Sequence, residues 1–493
     1  MKSASYSAAI LLALTKVVLC GNVQLPSAKL APNLELAQEV KDLFVSVYGD
    51  YKKYAFPHDD LLPVSASWTD SRNGWGATVV DSLSTMLLMG LDDLYADALN
   101  FTAKIDFSKS KTSSTVSVFE TTIRYLGGTL SAYELGGKKD AILIEKAKQV
   151  ADKMAVAWVG KNEIPYGFVN FSTNKPTIAT SNIAEAGTLA LEWATLAKYT
   201  GNSTYRALAE KALKRIGDNA APLPGLSVQG IDPSNGNPVG DYILAVDSSI
   251  RYLAKNSSVG NHLYLTDYTG GRNRYVSSNL ACFHGGNWIM GGKLLDNSTI
   301  VDYGLRLADA CFNTYSQTAT GIGPEVFAYV GSDGGTYTGA GLSTSDLNFY
   351  NQVGFYHGFY VYPGGYGYWD MRPEVLESNF YAWRATGDIK YQQRAAAALK
   401  SIKTYAKARA GYGGIQNILD AKSSVMDHTE SFFLAETLKY LYLTFADPEL
   451  ANLDKWVFNT EAHPLEAPPV SSAFSAAQSP WLPRQLVDFV NQA

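Results

Sequence analysis

The stretch Arg372-Pro373-Glu374-Val375-Leu376-Glu377-Ser378 opens a run that reads as helix through Arg384. An aromatic, glycine-rich loop, Val361 to Met371, precedes it. Proline suits the first turn of a helix, where its missing N–H is not needed. Glu374 and Glu377 stand three apart and share one helix face near the N-terminus. Two carboxylates there either match the helix dipole or belong to an acid/base site. Acidic first turns are common, so spacing alone favours the dipole. The rest of the chain decides between them, because acidic residues at helix starts recur.

Working outward, apolar residues at i, i+3, i+4 and i+7 predict helices over many segments. They are Leu34 to Tyr51, Val79 to Met89, Val116 to Leu135, Asp140 to Trp158, Ile183 to Tyr199, Ser203 to Ile216, Thr299 to Tyr315, Leu376 to Thr386, Ile389 to Ala408 and Glu430 to Phe445. Turn signals such as Gly136-Gly137, Thr200-Gly201-Asn202 and Thr386-Gly387-Asp388 separate them. Continuous strand alternation is rare. The chain is mainly α, built of paired helices with no clear internal linker. A toroid, a solenoid and a bundle all satisfy this pattern. The span 222 to 275 is the least regular part of the body.

A chain of 493 residues with 46% hydrophobic and 18% charged residues has ample core. Its net charge of −5 argues against nucleic acid and against an anionic membrane surface. With 31 Tyr and 9 Trp, it has the aromatic surface that suits sugars, or simply a large core. Lys2 and the apolar run Ala8 to Leu19, broken by Lys16, resemble a secretory signal cleaved near Cys20 to Asn22. A retained anchor is the alternative; no other stretch is long enough to span a bilayer. Five sequons, at Asn100, Asn170, Asn202, Asn256 and Asn297, support a secreted or secretory-lumen protein. Loss of Cys20 with the signal leaves Cys282 and Cys311, expected to form a disulfide; two buried thiols are the alternative. The expected organisation is a signal over 1–21, an N-terminal arm over 22–39, a body over 40–465 and a peripheral tail over 466–493.

A second acidic site lies in Ser117-Val118-Phe119-Glu120-Thr121-Thr122-Ile123-Arg124-Tyr125-Leu126-Gly127-Gly128. Glu120 interrupts an apolar helix start, and Arg124 stands one turn on, able to face it. Such pairs are usually solvated, but the apolar surroundings here point to burial. This stretch resembles the general-acid segment of the class I α-1,2-mannosidases, glycoside hydrolase family 47. The resemblance extends over residues 40 to 465. Pro57-His58-Asp59-Asp60-Leu61-Leu62-Pro63 with Asn73-Gly74-Trp75-Gly76-Ala77-Thr78 and Val80-Asp81-Ser82-Leu83 is similar to the family's first signature. Glu185-Ala186-Gly187-Thr188, Leu191-Glu192-Trp193 and Thr320 to Glu325 fit its middle. Arg372 to Ser378 fits its general-base segment. Glu430 to Tyr440 and Phe458 to Pro464 fit its C-terminal signatures, and Cys282 and Cys311 fall where the family keeps a disulfide. The wording is most similar to the secreted fungal branch.

The resemblance implies an all-α fold, an (α/α)7 barrel of paired helices with short β-hairpins and loops at the pocket. It implies an enzyme that trims terminal α-1,2-linked mannose from high-mannose N-glycans, with inversion. Nothing in the sequence suggests an obligate oligomer, and a monomer is expected. Inversion needs one carboxyl to protonate the leaving oxygen and another to activate water on the opposite face. Carried over by motif, Glu120 is the acid, Glu374 the base and Asp247 the third catalytic carboxylate; which of Glu120 and Asp247 protonates the leaving group stays open. Thr460 would bind calcium, a cation that favours flexible oxygen ligands. Glu377, Glu430 and Glu461 would hold its waters or sugar hydroxyls, and Arg124, Glu185, Arg372 and Phe432 complete the implied substrate site. His463 reads as structural. Two positions depart from the family. Arg251 replaces a glutamate and, on a helix, would face Asp247 and lower its pKa. His284 stands where an aspartate is usual. Ala245 replaces an arginine that narrows trimming in endoplasmic-reticulum members, which leans toward broader trimming. These departures carry an alternative, a non-catalytic or weakly catalytic glycan-binding protein of the same fold.

Overall fold

The computed structural model describes residues 21–217, 223–224, 226, 230–231, 242–338, 357–362 and 364–467. The signal segment and nearly all of the expected tail lie outside them.

Helices dominate. In chain order they are α1 (Leu34–Tyr54), α2 (Ala77–Leu88), α3 (Asp92–Thr102), α4 (Val118–Thr121), α5 (Gly127–Leu135), α6 (Ala141–Met154), α7 (Ile183–Gly187), α8 (Ala190–Thr200), α9 (Ser203–Gly217), α10 (Tyr242–Ser248), α11 (Phe283–Leu294), α12 (Ser298–Ser316), α13 (Glu374–Thr386), α14 (Lys390–Tyr405) and α15 (Leu438–Phe445). Side chains cap several of them. Asn33 accepts from the Leu36 N–H at the start of α1, and Asn297 accepts from Thr299 and Ile300 at the start of α12. α1 begins inside the range grouped on sequence with the arm, so residues 34–39 are helical.

The helices form two layers. α2 and α13 are buried nearly all round. α1, α6, α12 and α14 bury one stripe and expose the other, as outer helices should. α15 packs on α1, and the turn before it packs on α2, so the end of the chain closes onto its beginning. One core cluster runs from Ala37 to Leu465 and includes Trp75, Trp193 and Trp369. Among the described residues the strands make two- and three-stranded antiparallel sheets, one of them being Val276–Ser278, Val326–Ala328 and Tyr360–Val361.

The single helix expected over Val116 to Leu135 is broken into parts. Val116–Ser117 is strand, α4 follows, and Thr122–Leu126 is a π-turn leading into α5. π-turns also occupy Ser249–Leu253 and Phe433–Thr437. Such turns mark functional sites more often than chance allows, and each lies directly after a motif tied above to the carboxylates. α3, α10 and α11 are helices that periodicity did not predict. Cys282 and Cys311 are joined in a disulfide between the start of α11 and α12.

Candidate active site

The first turn of α2 sits on an anion nest. Asp59 is fully buried, and its carboxylate accepts N–H groups from Arg72, Gly74, Gly76 and Ala77 at 2.7–3.0 Å. The motif Pro57 to Pro63 is therefore architectural: Asp59 fixes the loop that carries Arg72. Arg72 then reaches Glu120 at 3.4 Å and Glu430 at 3.9 Å.

Glu120 stands in the first turn of α4, capped by Ser117, whose Oγ accepts its N–H at 3.2 Å. Its side chain remains about one-third exposed (32%). Burial pushes the carboxyl up, but the Arg124 and Arg72 guanidiniums outweigh it and hold Glu120 below the usual range. Arg124 donates its Nε to Glu120 at 2.8 Å, and its Nη1 is bound by Glu461 and lies 3.5 Å from Asp81. Asp81 is itself wholly buried between Arg124, Ser431 and His463. His463, also fully buried, is lowered to about 4 by burial, the structural role expected for it.

On the opposite side, Glu374 opens α13. It is buried, its Oε2 has no hydrogen-bond partner, and burial raises it to about 7, against the pull of Arg372 at 4.0 Å. Arg372 is held by Glu325 at 2.6 Å. Glu377, one turn on, is raised to about 8 by burial and by Glu374. Phe432 lies between the two halves, with the Arg124 guanidinium 5.8 Å and that of Arg372 5.9 Å from its ring centre. Glu430 is bound by His428 at 3.0 Å. Burial raises Glu430, but His428 and Arg72 outweigh it and keep it low. Burial disfavours the His428 cation, yet hydrogen bonds to Asp60 and Glu430 raise it to about 10.

Beneath this, Asn459 locks the turn that carries Thr460. Its Oδ1 accepts the N–H groups of Glu461 and His463, and its Nδ2 donates to Ile123 O and Glu192. Lys439, buried and lowered to about 7 by desolvation, donates to Ala462 O at 2.6 Å. Gly127 explains itself here, since a Cβ would lie 2.6 Å from Asn459 Nδ2. Thr460 is exposed while Asn459, Glu461, Ala462 and His463 are all buried.

Two groups are candidates for a metal. Asp370, His428 and Glu430 offer three ligand atoms within 4.8 Å of one another. There, however, His428 already serves as the cation for Glu430 and Asp60. The second group is oxygen-only. Glu374, Glu377, Glu436 and Glu461 are all raised by burial, and the Glu461, Glu374 and Glu377 charges raise Glu436 further. A concentration of carboxylates with the orphaned Glu374 Oε2 and the exposed Thr460 hydroxyl fits a hard divalent cation.

Of the residues singled out on sequence, Glu120, Arg124, Arg372, Glu374, Glu430, Phe432 and Glu461 thus fall in one network. Glu377 adjoins Glu374, and Glu185, half-buried on α7, feels the charge of Glu120. Asp247 is not joined to it: among the described residues no ion pair or hydrogen bond links its side chain to the cluster. It is exposed on α10, whose Val246 packs with Leu263, Trp288, Ile300 and Leu307. The expected Asp247–Arg251 pair does not form; both side chains are exposed. His284 donates its Nδ1–H to Ala281 O at 2.8 Å, and its ring lies tilted against Phe283 beside the disulfide. Arg72, Asp81, Asp370 and His428 received no role on sequence. One signal was available: Glu120-Thr-Thr-Ile-Arg-Tyr-Leu and Asp247-Ser-Ser-Ile-Arg-Tyr-Leu are near repeats, each entering a π-turn two residues after its carboxylate.

Comparison with known proteins places this geometry. The family model described as glycosyl hydrolase family 47 matches residues 43–248 and 240–467, its two segments overlapping on α10. The chain is 37% identical to a probable mannosyl-oligosaccharide alpha-1,2-mannosidase 1B of Aspergillus clavatus, covering 87% of this chain and 92% of that one. It is 35% identical to the mannosyl-oligosaccharide alpha-1,2-mannosidase 1B of Aspergillus phoenicis, covering 87% and 91%. The solved alpha-1,2-mannosidase from Trichoderma reesei matches at 36% identity with a TM-score of 0.81, covering 88% of this chain and 99% of that structure. The shared architecture is an (α/α)7 barrel. On these matches, the chain belongs to glycosyl hydrolase family 47.

Proposed function

We propose that the chain is a calcium-dependent, inverting exo-α-1,2-mannosidase that trims terminal α-1,2-linked mannose from high-mannose N-glycans. Its family and its α-1,2-mannosidase relatives support the activity. The observation that carries the mechanism is geometric: Glu120 beside Arg124 and Arg72, and Glu374 4.0 Å from Arg372, lie in one ionic network around Phe432. Their free-state shifts, Glu120 down and Glu374 up, are the reverse of an acid and a base and have to be turned round by bound sugar and cation.

The terminal mannose lies over Phe432, with its hydroxyls taken by Arg372, Glu377 and Glu430. Glu185 holds the outer part of the chain. Glu374 accepts a proton from water, whose oxygen bonds to the anomeric carbon as the glycosidic bond breaks. Glu120 gives its proton to the departing oxygen. In the free protein two arginines keep Glu120 ionised; a sugar that displaces water from its exposed third raises its affinity for a proton. Bound at Thr460, calcium would supply positive charge that returns Glu374 to its basic form and would hold sugar hydroxyls. Asp247 keeps the third carboxylate position by motif, but an electrostatic role through Arg251 has no support in the geometry.

The departures that favoured a binding protein, Arg251 and His284, make no ion pair or hydrogen bond with the carboxylate network among the described residues, which supports the enzyme over the binding-protein alternative. Secretion and a monomeric state follow from the same reading; among the described residues no helix is long and apolar enough to cross a membrane. The test is mannose release from a high-mannose N-glycan with and without a chelator, following the anomer by NMR. Calcium-dependent release of β-mannose is expected. Release indifferent to chelation sinks the cofactor, and α-mannose as first product sinks the inversion.

A further inference from the structure

Phe168 leaves its ring 44% exposed in a chain that buries most of its large aromatic side chains. It opens the strand Phe168–Asn170, which pairs with Val116–Ser117 on one edge and Lys175–Pro176 on the other. The next residue, Val169, is fully buried, so strand alternation turns Phe168 outward.

Where outward leads is fixed by pairing. Phe168 is directly opposite Ser117, and opposed residues project from the same face of a sheet. On that face Ser117 Oγ accepts the Glu120 N–H at 3.2 Å. The ring therefore emerges on the side where the helix bearing Glu120 begins, one interstrand step of about 4.8 Å from its cap. The backbone just before it is equally close to the site. Gly167 O accepts the Val118 N–H at 2.9 Å, and a Cβ on Gly167 would lie 3.4 Å from Glu185 Oε2. Phe168 O accepts from Thr177 at 2.8 Å, which holds the strand in place. The ring thus emerges beside the capped start of the Glu120 helix, and the backbone before it adjoins Glu185 on the other face of the strand. The ring lies beyond Glu120, whereas Phe432 lies between Arg124 and Arg372 on the inner side.

We propose that Phe168 is the stacking platform for the sugar on the leaving-group side of the scissile bond. A pyranose presents an apolar C–H face to such a ring while its glycosidic oxygen faces Glu120. This inference rests on Glu120 as the group that protonates the leaving oxygen, since that places the departing sugar at Glu120's open side.

The test compares the full chain with Phe168→Ala and Phe168→Tyr. The substrate is α-1,2-linked mannobiose, and free mannose serves as competitive product inhibitor for the inner subsite. For Phe168→Ala we expect KM for the disaccharide to rise about tenfold with kcat within about twofold. The inhibition constant of mannose should hold, and Phe168→Tyr should restore KM. An unchanged KM overturns the platform, and so does an equal rise in KM and the mannose constant, which marks a general disturbance of the site. Wild-type chain that splits no mannobiose overturns the enzyme reading itself, a failure visible before any variant is made.

Discussion

Arg124 donates its Nε to Glu120 at 2.8 Å, although the backbone between them passes into a π-turn. Arg251 stands at the same offset from Asp247, in a near-identical stretch with the same kind of turn, and makes no such pair. Backbone geometry therefore does not decide the pairing. The surroundings do: Arg124 is buried and anchored by Glu461 and Asp81, while Arg251 is exposed, where an ion pair gains little against side-chain entropy.

The contrast predicts unequal mutants. Arg124→Met leaves Glu461 and Asp81 buried without their cation and should destabilise the protein by about 3–5 kcal/mol. Arg251→Ala should fall within about 0.5 kcal/mol of wild type. Urea unfolding midpoints check both, and similar small changes for the two would show that Arg124 is not the keystone of the network.

Glu374→Gln separates chemistry from folding. Loss of the base should lower kcat by about 10²–10⁴-fold. Glu374 is raised to about 7 from 4.5, so its folded form holds a proton that the unfolded chain releases between those values. Its contribution to stability is full below pH 4.5 and is lost as pH rises through 7. Glutamine mimics the protonated state. The variant should match wild type in stability at pH 5 and exceed it at pH 8 when chelator is present. A variant that turns over normally would refute the base assignment.

The same sign applies to the other carboxylates that burial raises, though not to Glu120 and Glu430, which their cations hold low. Burial, reinforced by neighbouring carboxylates, raises Glu377 to about 8 and Asp370 to about 6, and burial raises Glu192 to about 7. Each shifted unit corresponds to about 1.4 kcal/mol. In chelator, stability should fall as pH climbs from 5 to 8. His463, lowered to about 4, works the other way between 4 and 6.5, and so does Lys439, lowered to about 7, above that value, but they are two groups against several. Added calcium should restore the melting temperature at pH 8 far more than at pH 5. A flat chelator profile would mean that the carboxylates are compensated from within the protein.

These networks explain what the sequence could and could not disclose. The outer helices were legible because one stripe of each is apolar, and the ends of α1 and α12 follow their capping asparagines. α11 was missed because its inward face is glycine rather than leucine. A Cβ at Gly285 would lie 2.9 Å from Ser378 Oγ, so the helix packs by backbone approach and leaves no hydrophobic period. α3 buries only Ala98 and Thr102 and gives as weak a signal. At the site, the carboxylates stood out through their motifs. Their partners did not, because Arg72 with Glu430, Arg124 with Glu461 and Arg372 with Glu325 join residues far apart in the chain. The Asp247–Arg251 expectation failed for the converse reason: local spacing was right, and burial was absent.

The sequons offer a last prediction, about modification rather than chemistry. Asn100, Asn170, Asn202 and Asn297 are exposed. The side-chain Oδ1 atoms of Asn170, Asn202 and Asn297 accept backbone N–H groups, which leaves each Nδ2 free for a glycan. Asn256 differs. It is half-buried in a strand, its Nδ2 donates to Asn261 at 2.8 Å, and Arg306 donates to its Oδ1 at 3.3 Å. A glycan on Asn256 would break the first bond and press against the strand Leu263–Leu265, to which its own strand is paired. Protein secreted from a glycosylating host should therefore carry glycans at four sites and leave Asn256 bare. Peptide mapping after enzymatic deglycosylation in heavy-oxygen water reads each site separately. Full occupancy of Asn256 would show that this hairpin forms only after the glycan is attached and rearranges around it.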